Sequence, residues 1–262
     1  MTRKIVIIGA GNVATHLTRT LVKTGYNVCQ IYSRTISNAR ELGSKTGIYF
    51  TDNIAEVYKQ ADIYIFSVSD TAIKGILMRL DLPKDALLIH TAGSVSMDVF
   101  KNYSTNYGVL YPLQTFTKKR IIEFSDIPIC VEGNTEETTQ SIEEIANNIS
   151  QKVERINEDK RKYLHLSAVF ACNFVNYMYS QAEQILKDND MDFKLLHPLI
   201  EETAMKIKDI CPSKAQTGPA IRNDKTTMNQ HKELIGDNVD IKKLYTFISN
   251  NITKSKEENG IF

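Results

Sequence analysis

Apolar residues over the first 157 positions fall into short β-branched blocks separated by stretches with helical spacing. The run Ile5-Val6-Ile7-Ile8 predicts a first strand, and the Leu17/Leu21 spacing after it predicts a helix. The same reading predicts strands at 27–32, 48–50, 62–68, 86–90, 107–110, 127–132 and, as a last edge, 152–155. Helices are expected at 37–45, 54–60, 71–79, 96–103 and 135–150. The continuous apolar run of 62–68 (DIYIFSV) fits a strand buried on both faces. Alternation of this kind predicts a doubly wound parallel sheet with helices on both faces and a ligand along the C-terminal strand edge.

Beyond Asn157 the strand pattern stops. Residues 158–187 predict one long helix, and 194–210 another that Pro198 interrupts. Residues 212–223 read as a loop, 225–234 and 241–252 as helices, and 255–262 as a tail. The chain therefore divides into an α/β domain at 1–157 and an all-α domain at 158–262. At 100° per residue, Leu164, Ala168, Ala171, Val175 and Ala182 share one face of the long helix. Phe170, Phe174 and Tyr177 cover a second, and His165, Asn173, Asn176 and Ser180 a third. A helix apolar round most of its circumference is expected to be buried, against a second subunit as well, so a homodimer through the C-terminal helices is expected.

The join between the first strand and helix carries the most chemistry. Gly9-Ala10-Gly11-Asn12-Val13-Ala14 is a GxGxxA turn in strand–turn–helix context. That is the order of a Rossmann dinucleotide-binding unit. Gly9 permits the tight turn, Gly11 removes the side chain that would block the phosphates, and Ala14 lets helix and strand pack closely. The free N–H groups of Asn12, Val13 and their neighbours suit an anion. The second strand ends in Ser33-Arg34-Thr35, where an NAD site carries Asp or Glu for the ribose 2′-OH. A hydroxyl and a guanidinium suit a 2′-phosphate, so NADP(H) is the expected cofactor, unless Arg34 is only a solvated surface residue. Val68 and Ser69, then Thr91, Ala92 and Gly93, follow two further strands and are expected to border the cofactor, while Gln114 and Thr115 are expected to contact substrate. His90 reads equally as a catalytic group or as a histidine satisfied at a strand end.

Composition narrows the alternatives. A net charge of +1 gives no broad attraction to nucleic acid or to a membrane surface. Residues 163–182 carry no Asp, Glu, Lys or Arg over about the length of a bilayer span, yet they hold too many polar groups for a lone spanning helix. Cys29, Cys130, Cys172 and Cys211 are far apart with no CxxC spacing, which fits a reduced cytoplasmic protein and neither a disulfide framework nor a zinc site. The chain enters its first strand at once, and no secretory signal is expected. No metal site is expected.

The GAGNVA turn, the SRT after the second strand, the HTAGS segment at 90–94 and the helical second half resemble the pyrroline-5-carboxylate reductase-like NADP oxidoreductases. YPLQTF at 111–116, LSAVFACNF at 166–174 and TGPAIRND at 217–224 with His231 are similar to a bacterial branch of that group. Its members pair a Rossmann-like domain with a helical domain of unknown function. The resemblance implies fold and nucleotide binding and supplies no substrate. Where β-hydroxyacid dehydrogenases carry a catalytic lysine four residues before an asparagine, this chain has Val169 before Asn173. The Ser/Gly-rich, proline-bearing stretch of pyrroline-5-carboxylate reductases is missing at 168–174, which argues against proline synthesis. Tyr111 stands where relatives have histidine, so no histidine role is carried over.

Two patches are candidates for substrate chemistry. On the long helix, Asn173 and His165 are catalytic candidates and Asn176 a substrate contact. In the second patch Arg222 is placed to clamp an anion, Asp224 to orient it or to cap the next helix, and His231 lies two turns beyond on the same face. His165 or His231 is the expected proton donor in a hydride transfer to a carbonyl or imine carbon. The alternative is a non-catalytic NADP(H)-binding sensor or scaffold on the same fold.

Overall fold

The computed structural model of the chain describes residues 3–259. Eight strands form one sheet in the order β3-β2-β1-β4-β5-β6-β7-β8. They are β1 (Lys4–Ile8), β2 (Asn27–Tyr32), β3 (Tyr49–Thr51), β4 (Ile63–Phe66), β5 (Leu87–His90), β6 (Asn106–Pro112), β7 (Ile129–Gly133) and β8 (Val153–Arg155). Helices α1 (Asn12–Lys23), α2 (Ile36–Thr46), α3 (Ala72–Leu77) and α4 (Glu136–Asn147) complete the Rossmann-type layer. Successive residues serve opposite faces, as the pleat requires. Ile5, Ile7, Ile65 and Ile89 pack with Leu17, Leu21, Leu42 and Ile142. Val6, Ile8, Tyr64, Phe66 and Leu88 pack with Ile73, Leu77 and Phe100.

The sheet is mostly parallel, whereas the sequence reading expected it to be parallel throughout. β7 runs antiparallel to β6, and β8 follows β7 in parallel. Residues 113–128 join β6 to β7 without the crossover helix that a parallel pair usually uses, so the chain returns antiparallel. Two expected helices shrink to 3₁₀ turns, Ile54–Glu56 and Met97–Phe100. At the first, the buried side chain of Gln30 donates to the Glu56 carbonyl (2.9 Å) and accepts from the Tyr58 N–H (2.7 Å). Both backbone groups are thereby withdrawn from any longer helix. At the second, the bonds are mostly at i→i+3 spacing, the Lys101 N–H to Asp98 and the Tyr103 N–H to Phe100 among them.

After β8 the described residues are helical. α5 (Glu158–Ala168) passes through a π-helical turn, Val169–Phe174, into α6 (Val175–Lys187). α7 (His197–Asp209), α8 (Pro212–Ala215), α9 (Lys225–Leu234) and α10 (Val239–Asn259) follow. Pro198 lies in the first turn of α7, where its missing N–H costs nothing, and so opens that helix rather than interrupting it. α8 falls inside the expected 212–223 loop. Residues 255–259, expected as tail, continue α10, and 260–262 lie outside the described residues.

The chain forms two compact units, Met1–Met178 and Tyr179–Phe262, so α5 and the π turn go with the sheet. The segment expected to be buried is open: Phe170 is 61% exposed, and no residue of the π turn or of α6 is buried. The apolar circumference is present, but the single chain leaves it uncovered. The π turn also breaks the 100° step, so the three faces drawn on an ideal helix do not continue through 169–174.

Candidate active site

The C-terminal ends of β1, β2, β4, β5 and β6 open onto one cleft of about 960 Å³. It lies where the strand order reverses between β1 and β4, the place at which open α/β sheets bind ligands. A smaller crevice of about 490 Å³ near Asp62, Asp85 and Glu137 sits at the opposite strand ends.

The glycine turn forms one wall. Gly9 has φ +124°, and a Cβ there would run into the Ser67 carbonyl of the β4 end. Gly11 caps α1, and nothing lies within 4 Å of where its Cβ would be, so the turn faces open space. Asn12 and Val13 line the cleft, and the first turn of α1 holds no acidic residue. Its N–H groups and its dipole therefore meet no competing charge. Ala14 is fully buried beneath. This cradle fits a pyrophosphate.

Ser33, Arg34, Thr35 and Asn38 line the cleft beside the β2 end, and no carboxylate stands among them. Val68, Ser69 and Asp70 line it after β4, and Thr91, Ala92 and Gly93 after β5. Thr91 Oγ1 donates to Ser67 Oγ at 3.1 Å, and the Ser94 hydroxyl donates to Asp70, tying the two strand ends together. His90 points elsewhere. It is fully buried, accepts from the Ala92 N–H at 3.2 Å, and burial pushes its pKa down to about 3. It is a neutral structural histidine at neutral pH.

His165 and Asn173 reach the cleft from α5 and the π turn, and Gln114 and Thr115 line it beyond β6. His165 Nδ1 lies 3.1 Å from the Tyr111 hydroxyl. Burial raises the Tyr111 pKa to about 12, so the phenol keeps its proton beside the His165 ring. Both rings close on Gly93: a Cβ there would lie 2.7 Å from His165 Nδ1 and 2.9 Å from the Tyr111 ring. Val169 also lines the cleft, so no amine occupies that wall.

Two residues of this arrangement escaped the sequence reading. Tyr111 carries no histidine role from the resemblance, and nothing local in the sequence pairs it with His165. Arg161 sat unnoticed in the charged run EDKRK, yet its side chain is wholly buried. It donates to the carbonyls of Gly93 (3.1 Å) and Val95 (2.9 Å) and to Glu132 Oε2 (3.1 Å). It thereby holds the turn after β5 against α5 and β7. Its signal would have been the helical spacing that puts Arg161 one turn before His165.

The remaining candidates lie elsewhere. Asn176 is exposed on α6 and is not part of the cleft wall. In the second unit Asp224 caps α9, accepting from Thr227 N (3.0 Å) and Thr227 Oγ1 (2.7 Å). Those bonds, and more weakly the charge of exposed Arg222, hold its carboxyl below the ordinary range. His231 Nδ1 lies 2.8 Å from the Tyr245 hydroxyl.

Fold and cleft define a dinucleotide-binding α/β protein with a helical C-terminal extension. The family profile described as NADP oxidoreductase, coenzyme F420-dependent, matches residues 4–93, and that of domain of unknown function DUF2520 matches 127–252. A Bacteroides fragilis protein, BF3122, assigned as an NADP oxidoreductase, is 40% identical, with 96% of this chain and 98% of that one covered at a TM-score of 0.94. Protein TM1727 from Thermotoga maritima is 26% identical over 97% and 99%, with a TM-score of 0.78. 1-Pyrroline-5-carboxylate reductase from Streptococcus pyogenes shares the fold at 13% identity over 96% and 98%, with a TM-score of 0.62. No sequence among the curated proteins matches. The chain belongs to the family of that Bacteroides fragilis protein, with an NADP oxidoreductase domain followed by a DUF2520 domain.

Proposed function

We propose that the chain is an NADP(H)-dependent oxidoreductase acting on a carbonyl or imine carbon of a small, anionic substrate. The carrying observation is one cleft with an open phosphate cradle at Gly11 and the proton-bearing Tyr111–His165 pair against Gly93. The NADP oxidoreductase description of its family and of its Bacteroides relative supports the cofactor. The nicotinamide supplies hydride. The chain's residues do the rest. Gly9, Gly11, Asn12 and Val13 cradle the pyrophosphate, and Ser33 and Arg34 take the 2′-phosphate. Val68, Ser69, Thr91, Ala92 and Gly93 border the nicotinamide end. Tyr111 and His165 hold the proton for the reduced centre, and Gln114, Thr115 and Asn173 offer polar contacts to substrate.

Val169 on the cleft wall favours a second reading, a sensor that binds NADP(H) without turnover. NADPH oxidation with 2-oxo acids and cyclic imino acids separates the two. The enzyme reading expects turnover with at least one, falling about 10²–10⁴-fold in Tyr111→Phe or His165→Ala. NADPH binding without any turnover favours the sensor.

We also propose a homodimer. In the second unit only Ala220 and Ser249 are buried among the described residues, while Leu195, Leu199, Leu234 and Phe247 are each more than 60% exposed. Apolar surface on that scale calls for a partner, and a second copy is the simplest one. Four free cysteines and the lack, among the described residues, of any helix able to cross a membrane support a cytoplasmic location.

A further inference from the structure

The link 113–128 does more than join β6 to β7. Gln114, Thr115 and Phe116 line the cleft. The Phe116 ring is buried, 5.1 Å from His16 and 5.6 Å from Phe124. His16 Nε2 sits 2.9 Å from the Thr117 carbonyl, so α1 fixes the backbone at that point. A bridge between Thr117 and Arg120 then closes a tight turn bearing Lys118, Lys119 and Arg120. Lys118 does not reach out to solvent. Its side chain is 24% exposed, and Nζ lies 3.0 Å from Asn38 Oδ1 and 3.1 Å from Glu41 Oε2, both on α2. Asn38 itself lines the cleft beside Ser33, Arg34 and Thr35. The ammonium is thus one hydrogen bond from the cleft wall that carries Arg34.

We propose that Lys118 is a second cation reading the 2′-phosphate of NADP(H); the proposal rests on the cofactor reading above. Glu41 does not cancel it, because the same carboxylate also pairs with Lys45 at 2.9 Å. One anion facing two ammonium groups, with Arg34 nearby, leaves positive charge at this wall. A phosphate monoester of about −1.5 to −2 charge matches that surplus, whereas the 2′-OH of NADH offers nothing to pair with it. Lys118 would be a specificity residue supplied from 84 positions beyond Arg34 by the anchored strap.

Calorimetric titration of NADPH and NADH into wild type, Lys118→Gln and Lys118→Arg tests this. Lys118→Gln keeps a donor toward Asn38 and loses the charge. It is expected to weaken NADPH about tenfold and leave NADH within about twofold, while Lys118→Arg keeps the wild-type preference. Glu41→Gln is expected to tighten NADPH, a gain that misfolding does not produce. Equal weakening of both nucleotides in Lys118→Gln, or no change in either, would overturn the proposal and leave Lys118 as a tether between strap and helix. A wild type that does not prefer NADPH would overturn the cofactor reading, and this inference with it.

Discussion

Gly9 and Gly11 stand two positions apart and serve different ends. Gly9 is required by the fold, since its backbone is left-handed and the β4 end fills the space of a side chain. Gly9→Ala is expected to cost about 2–3 kcal/mol in urea denaturation. Gly11 is proposed to serve the ligand, since its surroundings are open. Gly11→Val is expected to melt close to wild type and to lose nucleotide binding; a large loss of stability would contradict this division. His90 gives a test by pH. Its folded pKa of about 3 lies below the ordinary 6.5. The contribution of neutral His90 is complete above pH 6.5, and falls as the pH drops toward 3, by up to about 1.4 kcal/mol per pH unit. His90→Phe should have a shallower acid slope, and equal slopes in the two proteins would refute the assignment. The glycines and Arg34 were legible because a turn and a strand end are local features. Tyr111 and Arg161 were not, because pairing across 54 positions and burial of a charge are tertiary facts.

Strands β1, β2, β4 and β5 announced themselves by apolar runs that the pleat sorts onto two faces. The expected helix at 54–60 failed because Gln30, from another strand, takes its backbone groups. The long helix was legible as helix, but its π turn was not, since the turn leaves the apolar spacing almost unchanged. What joins these elements at the site is Arg161, reaching from α5 to the turn after β5 and to Glu132 of β7. Arg161→Met would strip two carbonyls of their donor and leave the Glu132 carboxylate without its cation, with only the Glu158 N–H still donating to it. It is expected to cost about 3–5 kcal/mol and to speed amide exchange at 92–95. Unchanged exchange there would mean that the turn holds itself.

At the scale of the molecule, a sheet domain with a well-buried core is joined to a helical unit with almost none. The sequence foresaw both halves, because strand and helix periodicities differ. It also expected the long helix to be covered, which a single chain does not accomplish. Light scattering coupled to size exclusion is expected to give twice the chain mass at micromolar concentration. A monomer would contradict the proposed self-association.

The cleft is proposed to bind NADPH through the glycine turn and Arg34. Calorimetry with NADPH and NADH on wild type and Arg34→Ala tests it most directly. Wild type is expected to bind NADPH more tightly than NADH, and the variant to lose that preference, about 10–100-fold. Failure of wild type to bind either nucleotide would contradict it.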